Sequence, residues 1–191
     1  METLHIKLNG LSPLLMHNPA GSMIVGGGRT IRRKAIPSPE DEAKAGRYVL
    51  PDGNFYIPAI AVRNSILGGA KGYRIGRTAA LSIISGALDI IDEVFPLLRD
   101  NQPLSGENYS IDTRRAVVQG QGIMRSRAKI ELPWQVEAIF RYNPDLVNLD
   151  QLKDITKNAG QVVGLLDYRP ERKVGLPGYF GKFEVIDIQS E

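Results

Sequence analysis

The chain has 191 residues, 42% of them hydrophobic and 24% charged, which is typical of one globular domain with its own core, and its net charge of +3 alone indicates no partner. The absence of cysteine excludes a disulfide framework and a thiolate metal site. No apolar run approaches the ~20 residues of a membrane span and the first residues lack a signal-peptide pattern, so we expect a cytoplasmic protein.

The first part of the chain predicts a strand, a long loop, a small hairpin and a helix. Leu4, Ile6 and Leu8 alternate with polar residues, which predicts a half-buried strand that ends near Gly10. Residues 11–40 contain prolines, serines and three consecutive glycines and predict a long loop, followed by a short helix over 40–47. A turn signal at 51–53 predicts a hairpin over 48–57, and a helix then begins at Pro58. The buried face of that helix is expected to comprise Ala59, Val62, Ile66 and Ala70.

The second part predicts a helix over 78–85, an extended apolar run over 86–95 and a basic hairpin. The arms of this hairpin are 111–118 and 123–132, on either side of a Gln-Gly-Gln-Gly turn. Alternating apolar residues predict a strand over 134–142, and Asn148 is a suitable cap for the following helix. The last strand is expected over 180–188. The apolar stripe of the helix comprises Leu149, Leu152, Ile155, Ala159, Val162 and Val163.

This element order predicts an α+β fold. Without its insertions the chain reads strand, helix, strand, strand, helix, strand, which is the ferredoxin-like (RRM-like) βαββαβ pattern. We expect one domain over residues 1–191, with an inserted loop at about 11–48 and an inserted hairpin at about 106–130. The core elements are then 2–10, 58–72, 109–118, 133–143, 149–163 and 179–188.

The charges are segregated along the chain. Residues 3–39, 63–85 and 113–130 contain Lys and Arg but no acid, whereas acids gather at 40–42, 89–100 and 145–154. Such segregation is typical of a basic groove with an acidic back. It favours a polyanionic partner.

A glycine-rich segment near the C-terminus has the composition of a phosphate-binding loop. Its cations are Arg169, Arg172 and Lys173, and glycines allow the backbone to approach a ligand closely. The alternative is a solvated turn between a helix and an edge strand. The glycines of this loop are Gly164, Gly175, Gly178 and Gly181.

Three short segments resemble the RAMP superfamily, whose members form the backbone of CRISPR effector complexes. Phe55-Tyr56-Ile57-Pro58-Ala59 and the residues that follow it are similar to that superfamily's first helix start, and Ser12-Pro13-Leu14-Leu15 resembles the turn after its first strand. The late helix with its glycine-rich loop resembles the superfamily's entrance to the final strand. Ala61 replaces a frequent Ser, and the loop begins with Gly-Leu-Leu-Asp, which favours a RAMP-like relative from a phage or mobile element.

The resemblance implies a subunit that binds single-stranded guide RNA without sequence preference. It implies head-to-tail self-association along that RNA, contacts with other effector subunits, and a hairpin acting as a thumb over the neighbouring subunit. The expected RNA-binding residues are Arg29, Arg32, Arg33, Lys34, Arg63, Lys71, Arg114, Arg115, Arg125, Arg127, Arg169, Arg172 and Lys173.

Catalysis is not expected from the sequence. The only imidazoles are His5 and His17, no residues have metal-ligand spacing, and we expect neither a metal nor a cofactor. Some RAMP proteins cut RNA with a His or a loop Asp, and Asp112 is the acid placed for that role. Three alternatives therefore stand beside the RNA-binding subunit: a phage single-stranded DNA-binding protein, a ring or filament protein without nucleic acid, and a RAMP-type endoribonuclease.

Overall fold

The structure, a computed structural model, describes residues 1–21, 37–118, 120–171 and 177–191. The helices are α1 (Pro39–Ala45), α2 (Ala59–Gly69), α3 (Ala80–Ala87) and α4 (Leu149–Val162). The strands are β1 (Glu2–Gly10), β2 (Leu14–Met16), β3 (Tyr56–Pro58), β4 (Arg74–Ile75), β5 (Thr78–Ala79), β6 (Leu88–Ile90), β7 (Val94–Arg99), β8 (Gln102–Pro103), β9 (Ser110–Val118), β10 (Gln121–Ile130), β11 (Gln135–Tyr142) and β12 (Phe183–Ser190).

The main sheet is antiparallel and has the strand order β12-β1-β11-β7-β3. Strand β6 also pairs with β11, and β8 pairs with β7. The alternation predicted for β1 is confirmed, because Leu4, Ile6 and Leu8 are buried and lie opposite Phe140, Ala138 and Val136 of β11. Together with the helices, this sheet confirms the α+β class.

Helices α2 and α4 pack closely on each other and on the sheet. A Cβ at Gly69 would lie 2.5 Å from the Ile155 carbonyl oxygen, and a Cβ at Gly160 would lie 2.0 Å from that of Phe183, so only glycine fits at either contact. The predicted buried face of α2 is confirmed, as is the Asn148 cap of α4. Val162 departs from the predicted stripe, since it is 50% exposed at the end of α4.

A second, three-stranded sheet has the order β2-β10-β9. The prediction that 109–118 belongs to the core sheet is therefore wrong, because β9 pairs along its length with β10. On the edge of β11 that faces away from β1, the pairing strands are β6 and β7. Pro96 lies within β7, opposite Tyr56 of β3. A proline inside a short apolar run weakens the prediction of a strand from the sequence.

The crossing segment, residues 10–16, joins the two sheets. The Leu11 N–H donates to the Lys182 carbonyl at 2.8 Å, and the Lys182 N–H donates to Ser12 Oγ at 2.9 Å. The Gly181 N–H donates to Pro13 O and the Asp167 N–H to Leu15 O, at 2.8 and 3.1 Å. These bonds fasten the glycine-rich loop to the chain between β1 and β2.

Across the described parts of the chain, the helices are all too short or too polar to cross a membrane.

Candidate nucleic-acid interface

A cleft of about 320 Å³ lies where the start of α2 meets the glycine-rich loop. One wall comes from α2 and the other from the loop, and His17 and Tyr48 also line the cleft. Both walls carry apolar and polar groups. The lining residues are His17, Tyr48, Ile60, Ala61, Asn64, Leu166, Asp167 and Arg169.

The first turn of α2 lies in the wall of this cleft. Pro58 occupies the N-cap, so no side-chain hydrogen bond caps the helix, and the first turn contains no acid. The Ala59 N–H donates to Glu93 O at 2.9 Å, whereas the following residue, Ile60, is 49% exposed in the cleft wall. An uncapped helix start carries partial positive charge and favours an anion.

The glycine-rich loop makes its tight turns with an unusual backbone. Gly164 and Gly181 have φ of 73° and 69°, and Leu166 and Tyr168 also take positive values of 60° and 51°. A Cβ at Gly178 would lie 1.6 Å from the Tyr168 carbonyl oxygen. The close approach that these glycines permit is therefore an approach of the loop to its own backbone.

A buried ion pair fixes the loop to the hairpin. Arg127 of β10 is 4% exposed, and its Nε donates to Asp167 Oδ2 at 2.5 Å. Its guanidinium lies 4.8 Å from the centre of the Tyr168 ring. The other Asp167 oxygen accepts the Tyr168 N–H at 2.9 Å. Arg127 thus positions the loop, and its guanidinium is covered rather than presented to solvent.

Arg114 of β9, like Arg127, lies against the ring of Tyr168. Its Nε and Nη2 donate to the two carboxylate oxygens of Asp112, and the hydrogen bond to Asp112 raises the pKa of Arg114 above its usual value. Its guanidinium lies 4.6 Å from the centre of the Phe180 ring and 5.2 Å from that of Tyr168. Such cation–π contacts stabilise a half-buried cation.

The other two hairpin arginines, Arg125 and Arg115, differ in their contacts: Arg125 is ion-paired, whereas Arg115 is exposed. Arg125 Nη1 donates to Glu42 Oε1 of α1 at 2.6 Å, and the second Glu42 oxygen accepts the Ser126 N–H at 2.8 Å. Arg115 is exposed and lies opposite Met124 near the tip of the hairpin, and its carbonyl accepts the Tyr168 hydroxyl. Glu42 is a residue that the sequence interpretation missed as a partner of this hairpin.

His17 lies at the end of the cleft. Burial, followed by the positive charge of Arg127, lowers the pKa of His17 below its usual value of 6.5. The Tyr48 hydroxyl donates to the His17 carbonyl at 3.2 Å, and burial raises the pKa of Tyr48. Both side chains therefore line the cleft in their neutral forms near pH 7.

Three further predicted cations lie along α2 and the loop beside it. Arg63 donates to Leu88 O at 2.8 Å and to Ser85 O at 2.6 Å, which joins α2 to β6 and α3. Lys71 pairs with Glu171, and Arg169 Nε donates to the Glu171 carbonyl at 3.2 Å. Of these three, Arg169 lines the cleft.

Seven predicted site residues lie outside the described residues. These are Arg29, Arg32, Arg33, Lys34, Arg172, Lys173 and Gly175.

Of the eight residues that line the cleft, the sequence interpretation assigned only Arg169 to a site. Tyr48, Ile60, Asn64 and Leu166 come from three separate segments, and only the fold brings them together. The helix start at Pro58 was the signal in the sequence that could have identified part of this cleft. Ile60, Ala61 and Asn64 follow Pro58 and lie outside the buried apolar face of the helix.

Comparison with known proteins gives a structural likeness. No family model matches the chain, and no curated protein matches it. Among solved structures, it is similar to a chain in the cryo-EM structure of Type III-B Cmr-beta bound to cognate target RNA, with a TM-score of 0.57 and 14% identity. The likeness covers 99% of this chain and 60% of that chain, so our chain spans about three fifths of its neighbour's length. It establishes that the two chains share a fold.

Proposed function

We propose that this chain is an RNA-binding subunit of a CRISPR-type ribonucleoprotein and a RAMP-like protein. The observation that carries the proposal is the cleft at the start of α2, in a chain that shares its fold over 99% of its length with a chain from an RNA-bound structure. The cleft combines an uncapped helix start, an Arg side chain and apolar walls. Phosphate, ribose and base need these three kinds of contact.

The strand order supports a ferredoxin-like core. Strands β12, β1, β11 and β7 lie side by side in that order, and all three contacts between them are antiparallel. When these four strands are numbered by their order in the chain, their order in the sheet is 4-1-3-2. Helix α2 follows the first of them, β1, and α4 follows the third, β11. The core of the βαββαβ pattern is then complete without β9, and the β9–β10 hairpin is the inserted thumb.

Affinity in this proposal comes mainly from the sugar-phosphate backbone and is independent of sequence. A strand lying in the cleft meets the first-turn N–H groups of α2 on one side and Arg169 on the other. Ile60 and Leu166 supply apolar surface for a base or ribose. Binding of this kind weakens steeply as salt rises.

Head-to-tail assembly is the second part of the proposal. The tip of the β9–β10 hairpin exposes Val117 and Met124, 56% and 62% accessible, beside the exposed Arg115. An apolar tip with a cation suits a neighbouring copy and the RNA that passes between the two copies. Because the hairpin tip and its target differ, such a contact extends along the RNA without closing.

The proposed subunit is cytoplasmic and non-catalytic. Asp112 lies in strand β9, and both of its carboxylate oxygens accept hydrogen bonds from Arg114. This carboxylate is therefore not available as a catalytic base. His17 has no carboxylate or second imidazole bonded to its ring in the described residues.

The decisive experiment measures the nucleic acid that the purified protein carries and prefers. We expect an absorbance ratio that indicates co-purified RNA, and stronger competition by an RNA than by a DNA of equal sequence, because only RNA presents the 2′-hydroxyl. Equal competition would indicate a single-stranded DNA-binding protein instead. A nucleic-acid-free protein that forms rings or filaments by itself would indicate a structural protein.

Light scattering tests the assembly. The mass of the particle should rise in steps as the RNA is lengthened at fixed protein concentration. A strict monomer with and without RNA would contradict head-to-tail association.

A further inference from the structure

The β4–β5 hairpin lies after the far end of α2 and is anchored to the core through Ile75. The Ala80 N–H donates to Tyr73 O at 3.0 Å, and Ile75 packs against the main core. Gly76 has a φ of 59° at the first position of the two-residue turn, a conformation that favours glycine. The residues beside Ile75 are therefore held in fixed directions.

Two arginines of this hairpin point outward without an acidic partner. Alternation along β4 places Arg74 on the side opposite Ile75, across from the small Ala79. Arg74 and Arg77 are both exposed, and Arg74 Nη1 donates to the Arg77 carbonyl at 3.0 Å. Within the described residues neither guanidinium lies within 4.0 Å of a carboxylate, unlike those of Arg114, Arg125 and Arg127.

An exposed tyrosine, Tyr73, directly precedes Arg74 in the chain. Tyr73 is 41% exposed, and its hydroxyl has no hydrogen-bond partner in the described parts of the chain. An exposed ring and two guanidinium groups without an acidic partner, all within five residues of the chain, match a single-stranded nucleic acid, whose bases stack and whose phosphates attract cations. An acidic peptide would use the cations and leave the ring without a partner.

The hairpin lies on the continuation of the cleft. Helix α2 has 11 residues, so its two ends are about 16 Å apart. The loop lies beside the same helix. Arg169 lines the cleft together with Asn64, and Glu171 pairs with Lys71 just before the hairpin. A strand that leaves the cleft along α2 reaches the hairpin next.

The geometry points to the β4–β5 hairpin as a second contact for single-stranded RNA. Arg74 and Arg77 bind successive phosphates, and Tyr73 stacks on a base. This inference rests on the proposed function, since it extends the path of the same strand, and it assigns to the hairpin residues a role that the cleft does not require.

The test compares the wild-type chain with charge-neutral variants on an oligouridine RNA of about 16 nucleotides. Arg74→Gln/Arg77→Gln should weaken binding about tenfold and reduce the slope of log affinity against log salt by about 1.4, the value for two phosphate contacts on a single strand. Tyr73→Leu should weaken binding about tenfold, whereas Tyr73→Phe should bind like the wild type. Urea unfolding of each variant confirms that the hairpin remains folded.

The matched control removes equal charge elsewhere. Arg141→Gln/Lys157→Gln replaces two exposed cations without an ion pair in the described residues, and it should leave the affinity and the slope unchanged. Equal losses in both double variants would show a general effect of net charge and overturn the contact.

The remaining outcomes separate this contact from the proposed function. If the wild type binds RNA and an acid in the cleft (Ile60→Glu) weakens it, unchanged binding by Arg74→Gln/Arg77→Gln overturns the hairpin contact alone. If the hairpin variants weaken binding and Ile60→Glu does not, the hairpin contact stands and the cleft is overturned. A wild-type chain that binds no RNA overturns both.

Discussion

Arg127 and Asp167, forty residues apart in the sequence, form an ion pair with an Nε–Oδ2 distance of 2.5 Å. Arg127 is buried and Asp167 is partly exposed, so the pair joins the inside of the β9–β10 hairpin to a loop that lines the cleft. A buried cation depends on its partner, because desolvation of an unpaired charge is costly. The position of the cleft wall therefore depends on this charge pair as well as on the hydrogen bonds to the crossing segment.

Asp167→Asn keeps the size of the side chain and removes its charge. We expect the free energy of unfolding to fall by about 3 kcal/mol, because the guanidinium of Arg127 is left buried without a counter-charge. Urea unfolding measures this. Glu137→Gln, in the exposed pair with Lys7, is the control and should leave the urea midpoint nearly unchanged. Equal small effects in both variants would show that the Arg127–Asp167 pair contributes little.

His17 should make stability depend on pH. Its pKa is lowered in the folded chain, so between the folded value and the usual value of 6.5 the unfolded chain binds more protons than the native one. Stability therefore falls as pH drops through 6.5 towards the folded pKa, and the loss is complete below it. His17→Gln should reduce this slope in urea midpoints measured from about pH 7 to about pH 5. An unchanged slope would mean that burial of His17 does not affect its titration.

Ile60→Glu should separate stability from binding. An acid in the first turn of α2 suits the helix dipole and replaces a half-exposed side chain, so the free energy of unfolding should change by less than about 1 kcal/mol. The same charge repels phosphate, and RNA affinity at low salt should fall about tenfold. Fluorescence anisotropy measures the affinity, and the difference should shrink at high salt.

The neutral variant Ile60→Gln controls for the change of shape. It should retain most of the RNA affinity. A loss as large as that of Ile60→Glu would show that the apolar side chain, and not the field at the helix start, matters in the cleft.

A labelled single-stranded RNA should remain intact on prolonged incubation with the protein. Both Asp112 oxygens are bonded to Arg114, which leaves neither of them free to act as a base. Gel electrophoresis detects cleavage directly. Cleavage that disappears in His17→Ala or Asp112→Ala would establish the endoribonuclease alternative.

Local patterns predicted most of the elements correctly. The alternation in β1 and β11, the cap at Asn148 and the buried face of α2 each depend on residues close together in the sequence, and all are present. The assignment of 109–118 to the core sheet failed because element order does not determine which sheet a hairpin joins. Pairing of β9 with β10 fixed that choice.

The chemistry of the candidate site was less accessible from the sequence. The acid-free windows in the sequence identified the basic hairpin. They did not indicate that its arginines form ion pairs with acids from other parts of the chain, such as Arg125 with Glu42 and Arg127 with Asp167. Segregation of charge along a sequence therefore does not measure free charge at a surface. Arg74 and Arg77 in the second acid-free window and Arg115 in the third are exposed and have no ion pair within the described residues, as the pattern indicated.

Hydrogen bonds to the crossing segment should protect amides of the glycine-rich loop from hydrogen exchange as strongly as the amides of a core strand. The amides of Leu11, Asp167, Gly181 and Lys182 lie outside the strands, yet each donates a hydrogen bond that ties the last loop to the chain after β1. Hydrogen–deuterium exchange at these four amides should proceed only through global unfolding, at the rate of the amides in β1. The loop beside the cleft and strand β1 of the main sheet are then one cooperative unit, which opens as a whole or stays closed.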